Sequence, residues 1–335
     1  GDGDVDVLSA SVYDDTVAWY ENDGSQSFTE RVITDAADSA RSVFAIDVDG
    51  DGDVDALSAS FNDDTVAWYE NDGSQSFTKR VITTLAENAV AAAGVDVDGD
   101  GDVDVVAASM LDDTVAWHAN DGSQSFTERV ITDAADSARS VFAIDVDGDG
   151  DVDALSASFN DDTVAWYEND GSQSFAERVI TTLADAALGV FAIDLDGDGD
   201  VDVLSASVYD DTVAWYENDC AAHAPTPRPT NNCASVSFAE RIITTLAGEA
   251  NSVFAIDVDG DGDVDALSAV HQDDTVAWYE NDGSQSFTQR VITNSADEAH
   301  SVFAIDVDGD GDVDALSASY GDDTVAWYEN DGSES

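Results

Sequence analysis

Short apolar blocks separated by clusters of Asn, Asp and Gly run the whole length of this chain. One stretch shows the pattern. Ser42-Val43-Phe44-Ala45-Ile46 is apolar, an acidic run follows, and Ala56-Leu57-Ser58-Ala59-Ser60 is apolar again. Asn62-Asp63-Asp64 then leads into Thr65-Val66-Ala67-Trp68-Tyr69, and Asn71-Asp72-Gly73-Ser74 into Phe77-Thr78-Lys79-Arg80-Val81-Ile82-Thr83. β-Branched and aromatic runs bounded by such turn residues predict strands joined by hairpins. The first strands are apolar on both faces, which suits sheets packed between neighbours.

The pattern repeats. Trp19, Trp68, Trp117, Trp166, Trp215, Trp278 and Trp327 are 49 residues apart, except for 63 between Trp215 and Trp278. Residues 22–77 are identical to residues 120–175. Four strands per period, repeated seven times, predict an all-β, seven-bladed β-propeller covering residues 1–335 as a single unit. The period is too long for a β-roll of calcium-binding nonapeptides. Gly1 corresponds to Gly50, so a seventh full period would run to residue 357. The missing 22 residues would supply strand four of the last blade and strand one of the first. The expectation is therefore absent flanking sequence or an incomplete closing blade, completed by another chain.

Each first strand leads into the acidic run DVDGDGDVD, or DLDGDGDVD at residues 194–202. Five aspartates at alternate positions would repel one another without a counter-ion. Loops for hard cations place acidic residues at positions 1, 3 and 5 and glycine at 6. The candidate calcium ligands are Asp47, Asp49, Asp51, Asp53 and Asp55 in the first complete loop. The next two loops offer Asp96, Asp98, Asp100, Asp102 and Asp104, then Asp145, Asp147, Asp149, Asp151 and Asp153. The fourth and fifth offer Asp194, Asp196, Asp198, Asp200 and Asp202, then Asp257, Asp259, Asp261, Asp263 and Asp265. The sixth offers Asp306, Asp308, Asp310, Asp312 and Asp314. Position 12, where a helix–loop–helix site needs glutamate, is Ser58, and the flanks read as strands. The expected ligand set is therefore the side chains at 1, 3, 5 and 9 with the carbonyl at 7, one calcium per complete loop. A truncated copy, Asp2, Asp4 and Asp6, opens the chain and makes a doubtful site.

Composition adds a strong negative field. There are 74 acidic and 10 basic residues, a net charge of −64. The acidic loops hold 33 of the acids, the Asp-Asp pairs 14 and the Glu-Asn-Asp turns 13, so the acidity is positional and not a tail. Such a field disfavours nucleic acid and anionic lipid as partners. No run has the length a membrane span needs. The start lacks Met and a signal pattern, which reads as a mature or excised piece.

Strand order puts the acidic loops and the Glu-Asn-Asp turns on one face, and the second-to-third turns with the inter-blade connections on the other. That second face varies, with Val12-Tyr13, Phe61-Asn62, Met110-Leu111, His271-Gln272 and Tyr320-Gly321 at equivalent places. A ligand is expected there, although unconstrained loop drift would look the same. His271 and His300 fall on it, either as a functional pair or as loop histidines. The Asp-Asp pairs, such as Asp63-Asp64, suit turn hydrogen bonding better than glycosidase chemistry, because every blade has one. Trp68 and its equivalents read as core. No nucleophile motif or phosphate loop is present. The insertion at residues 220–233, in the fifth repeat, carries all three prolines and both cysteines, Cys220 and Cys233. The pair reads as a disulfide closing the loop, which implies an oxidising, extracytoplasmic setting.

The repeat DVDGDGDVDALSAS…DDTVAWYENDGSQSF resembles FG-GAP/VCBS-type repeats, which form calcium-bearing propellers, over nearly the whole chain. The resemblance implies calcium at the loops just described and roles in adhesion, glycan binding or scaffolding. The expected protein is a secreted or cell-surface, non-catalytic module with structural calcium that recognises a glycan or protein. The alternatives are a structural subunit of an extracellular filament, appendage or coat, and a polysaccharide-active enzyme scaffold.

Overall fold

The computed structural model describes residues 3–219 and 236–332, so the Cys220–Cys233 pairing lies outside the described residues. Its regular structure is entirely β, in seven antiparallel sheets of consecutive strands. The first sheet is β1 (Val7–Ala10), β2 (Val17–Asn22) and β3 (Phe28–Thr34). The second is β4 (Ala40–Ile46), β5 (Asp55–Ser60), β6 (Thr65–Asn71) and β7 (Phe77–Thr83). The third is β8 (Ala89–Val95), β9 (Asp104–Ser109), β10 (Thr114–Asn120) and β11 (Phe126–Thr132). The fourth is β12 (Ala138–Ile144), β13 (Asp153–Ser158), β14 (Thr163–Asn169) and β15 (Phe175–Thr181). The fifth is β16 (Ala187–Ile193), β17 (Asp202–Ser207), β18 (Thr212–Asn218) and β19 (Phe238–Thr244). The sixth is β20 (Ala250–Ile256), β21 (Asp265–Val270), β22 (Thr275–Asn281) and β23 (Phe287–Thr293). The seventh is β24 (Ala299–Ile305), β25 (Asp314–Ser319) and β26 (Thr324–Tyr328). This is an all-β, seven-bladed propeller with four-stranded blades, the first and last having three strands among the described residues.

The strands run longer than the apolar blocks. The first strand of the second sheet starts at Ala40, because Ala40 pairs with Ser60 and the register then skips Arg41 to pair Ser42 with Ala59. The third strand runs on to Asn71, whose amide is held by Asp55. Burial on both faces belongs to the second strand of the blade, with the third nearly as covered, as in β5 and β6. First strands are more open, and Phe303 is 46% exposed. Outer strands such as β7 are largely exposed, with Arg80 bonded to Glu70 across the hairpin at 2.7 Å.

The chain divides into two compact units. One comprises Gly1–Ala143, Asp151–Asp161 and Ala165–Arg178; the other comprises Ile144–Gly150, Asp162–Val164 and Val179–Ser335. In the first, Leu57, Val66 and Trp68 pack with Ala89, Ala92, Val105 and Ala107 of the following blade. The alanines let that sheet approach while the indole fills the gap. In the second, Leu204, Val213 and Trp215 pack in the same way against Ala250, Ala255 and Ala266. Each Trp reading as core is therefore correct for Trp68, Trp117 and Trp215, all essentially fully buried.

Candidate metal centres

Each acidic loop connects the first and second strands of a blade, and its backbone folds around its own carboxylates. Gly50 and Gly52 have φ of 74° and 97°, values that glycine adopts without cost. The turn they allow lets Asp47 accept from the amides of Gly50 at 2.8 Å and Gly52 at 2.9 Å. Asp55, at the start of β5, is 2% exposed and accepts from Val48 N at 2.9 Å and Asn71 N at 2.7 Å. It thereby ties the loop to the third-to-fourth turn at the same end of the sheet. The loop beginning at Asp306 has the same bonds, from Gly309 and Gly311 to Asp306 and from Val307 and Asn330 to Asp314.

One carboxylate oxygen from each of Asp47, Asp49 and Asp55 lies within 4.8 Å of the others. The triads Asp96, Asp98, Asp104; Asp194, Asp196, Asp202; and Asp257, Asp259, Asp265 converge alike. The loop from Asp145 lies where the chain divides into its two units; within it Gly148 and Gly150 donate to Asp145 at 2.8 and 2.9 Å. Positions 1, 3 and 9 are thus brought together. Position 5 is not among them: Asp51 accepts from Asp53 N at 2.9 Å, and Asp100, Asp198, Asp261 and Asp310 accept the equivalent bond. The position-7 side chain turns toward its own blade's turn, so that a Cβ on Gly73 would stand 2.5 Å from Asp53 Oδ2. Asp102, Asp151, Asp263 and Asp312 pack against Gly122, Gly171, Gly283 and Gly332 in the same way. In the truncated copy Asp4 packs against Gly24 and Asp6 accepts from Asn22 N, while Asp2 lies outside the described residues.

These groups fit a hard cation. Asp98 Oδ1 and Asp194 Oδ1 are buried with no hydrogen-bond partner, which is costly for a carboxylate unless a cation meets it. Burial, opposed by the Asn71 and Val48 amides and reinforced by Asp49 and Asp47, pushes Asp55 up to about 6. Burial likewise pushes Asp202 and Asp265 up to about 7, against the amides of Asn218 and Leu195 and of Asn281 and Val258. A divalent ion would reverse the penalty by favouring the charged forms. The donors are all oxygens, compatible with calcium and poorly suited to metals that prefer sulfur or imidazole.

The opposite ends of the sheets carry the Asp-Asp pairs instead. There the second aspartate of the first six Asp-Asp pairs fastens the next connection, as Asp64 does by accepting from Asn88 N at 2.8 Å. His271 faces Glu249 at 3.2 Å and Glu298 at 3.8 Å, while the His300 ring lies 6.4 Å from that of Tyr320. In the sequence the Asn-Asp-Gly-Ser-Gln segments read only as turns. The signal available was the constant Asn, with Gly in six turns and Gln in five at fixed offsets, because Asn71 Nδ2 also donates to Val54 O at 3.1 Å, inside the acidic loop.

A propeller whose blades each carry an acidic loop between their first two strands defines a class of repeat protein. The model of the FG-GAP-like repeat matches residues 1–58, 47–107, 96–156, 145–205, 194–268 and 257–317, and the chain belongs to that family. No curated protein matches the chain. Among solved structures it is similar to a Lactobacillus plantarum protein, with 12% identity and a TM-score of 0.66 over 94% of this chain and 88% of that one. A candidate 6-phosphogluconolactonase from Bacteroides fragilis aligns at 10% identity and TM-score 0.67, over 98% and 92% of the two chains. A protein of unknown function from Desulfotomaculum acetoxidans aligns at 11% and 0.59, over 93% and 88%. At such identities these likenesses speak for the fold alone.

Proposed function

We propose that this protein is a non-catalytic recognition module that works outside the cell, with calcium in its acidic loops as a structural ion and a glycan or protein as its ligand. One observation carries the reading: the two ends of the blades are treated differently. The acidic-loop end repeats nearly letter for letter, whereas the opposite end varies, with Tyr, Asn, Leu, Gln or Gly at the position of Tyr13. Tyr13 is 68% exposed, Leu111 62% and Tyr209 67%. Exposed aromatic and apolar side chains on a polar surface mark interaction sites, and aromatic faces suit sugars and proteins alike. Loops of this kind in extracellular modules hold calcium at about 0.1–1 mM, which suits the concentration outside cells. Nucleic acid and membrane insertion are not part of the reading, given the net charge of −64.

A glycan array, paired with capture from extracellular matrix proteins, tests this in millimolar calcium. Binding is expected, and Tyr13→Ser and Tyr209→Ser should weaken it while leaving the calcium-loaded melting temperature in place. Binding that ignores both substitutions would overturn the assignment of the variable end. The rival reading, a structural subunit of an extracellular assembly, is favoured by the near-identity of the repeats, residues 22–77 and 120–175 being the same letter for letter. Ordered polymers seen by light scattering and electron microscopy in calcium, without glycan binding, would replace the first reading by the second.

A further inference from the structure

The third-to-fourth turn of one blade touches two acidic loops, its own and that of the preceding blade. In the sixth blade Gly283 packs against Asp263 of its own loop, and Gln285 Nε2 donates to Asp196 Oδ2 of the fifth blade at 3.0 Å. In the fourth blade Gly171 packs against Asp151, and Gln173 Nε2 donates to Asp98 Oδ2 of the third at 3.0 Å. The asparagine of the turn can make a second link. Asn218 Nδ2 donates to Val146 O at 3.2 Å and Asn330 Nδ2 to Val258 O at 3.2 Å, both carbonyls at position 2 of the preceding blade's loop.

These turns are stiff. Asp282 accepts from Ser284 N at 3.0 Å, Ser284 Oγ at 2.6 Å and Ser286 N at 3.3 Å. Gln285 and Gln173 are held at φ of 62° and 65°, a region non-glycine residues seldom occupy. Their amides are therefore aimed before any ion arrives. Asp98 and Asp196 stand at position 3 of the converging triads, and the glutamine occupies one oxygen of each. In Asp98 the other oxygen, Oδ1, is the buried atom without a hydrogen-bond partner. The glutamine thus restrains the carboxylate's rotation and leaves Oδ1 without a hydrogen bond to compete with an ion.

We infer that Gln173 and Gln285 are positioning residues for the cation sites of the neighbouring blades, and that the turns bearing them couple consecutive sites so that filling one favours filling the one before. The inference rests on the calcium reading above. Outer partners that orient ligating carboxylates contribute about tenfold to a hundredfold in metal affinity. The coupling path is short: an ion in the loop from Asp257 orders Asp263, Asp263 bears on Gly283, and Gln285 two residues later holds Asp196.

The test is a calcium titration of the full chain followed by amide NMR, with Gly199 reporting the loop from Asp194 and Gly52 the distant loop from Asp47. Gln285→Ala should raise the half-saturating calcium concentration at Gly199 about tenfold and leave Gly52 unmoved. Asp257→Asn should raise it at Gly199 as well, about threefold, but add nothing in the Gln285→Ala background. An unchanged Gly199 titration in Gln285→Ala overturns the positioning role; equal shifts at Gly199 and Gly52 do so too, since that is general destabilisation. Additive effects of the two substitutions overturn the coupling. Amides that fail to respond to calcium in the unsubstituted protein would instead sink the calcium reading, a separate failure.

Discussion

His118 stands where the other six repeats have tyrosine, at Tyr20, Tyr69, Tyr167, Tyr216, Tyr279 and Tyr328. Four of those tyrosines meet a serine hydroxyl across the hairpin, as Tyr167 meets Ser156 at 3.1 Å and Tyr216 meets Ser205 at 3.2 Å. In the third repeat the serine is Ala107. The two exchanges belong together, because a tyrosine hydroxyl against a methyl group would be buried without that partner. His118 is 2% exposed, and burial pushes its imidazole down to about 4. The sign follows from proton counts. Between about 6.5 and 4 the unfolded chain takes up a proton that the folded chain refuses, so this residue's contribution is intact above that window and lost as pH falls through it. The full loss is about 3 kcal/mol at 1.36 kcal/mol per pK unit. Ala107→Ser with His118→Tyr should remove this slope when urea midpoints of the two proteins are compared between pH 7 and 4. His118→Tyr alone should be less stable than the double variant by about 1–3 kcal/mol, the cost of an unpaired buried hydroxyl. Equal stability of the two would show that the hydroxyl finds another partner.

At the scale of elements, the connections between blades are held by main chain, which explains how they can vary. The second aspartate of all seven Asp-Asp pairs has positive φ, and in the first six pairs it accepts from a backbone amide in the next connection. The receiving residue is Ser39, Asn88, Ser137, Ala186, Glu249 or Glu298, each itself at positive φ. Only the amide is read, so the side chain there is free to change. Asp113 makes the case testable: it has φ of 58°, its Oδ1 accepts from Ser137 N at 2.9 Å and its carbonyl from Ala135 N at 3.0 Å. Asp113→Ala should cost about 2–3 kcal/mol, combining the lost acceptor with a left-handed alanine. Asp113→Asn keeps an acceptor and tolerates that conformation, so its cost should stay below about 1 kcal/mol in denaturant melts. Similar losses for both would mean that the negative charge, not the bond, matters. This is also where the sequence was most readable. The Asp-Asp pairs, the Trp positions and the Phe77–Thr83 strand repeat often enough to give role and register from spacing alone. The missing pieces needed distances between blades. Nothing in the letters says that Asp51 turns back to its own loop's amide, or that Gln285 reaches 89 residues back to Asp196.

For the whole molecule the question is what opposes 74 acidic groups, 30 of them in six complete loops. At ten times the dissociation constant each native-only calcium adds about 1.4 kcal/mol, and six add about 8 kcal/mol. That is comparable to the entire stability of an ordinary domain, about 5–15 kcal/mol. Chelation should therefore lower the melting temperature steeply, and a calorimetric trace unchanged in excess EDTA would refute a structural role for the ion. The pH dependence of the chelated protein provides an independent check. Asp202 and Asp265 have folded values raised to about 7, so without calcium their contribution is complete below the unfolded value near 3.8 and is lost as pH rises through 7. His118 acts in the opposite sense, but it is one group against several. The EDTA-treated protein should accordingly melt higher at pH 5 than at pH 8. In saturating calcium the order should reverse, because protons then compete with the ion for the same oxygens. If both forms melted higher at pH 8, the aspartates at position 9 would have to be carried in the fold by something other than a cation.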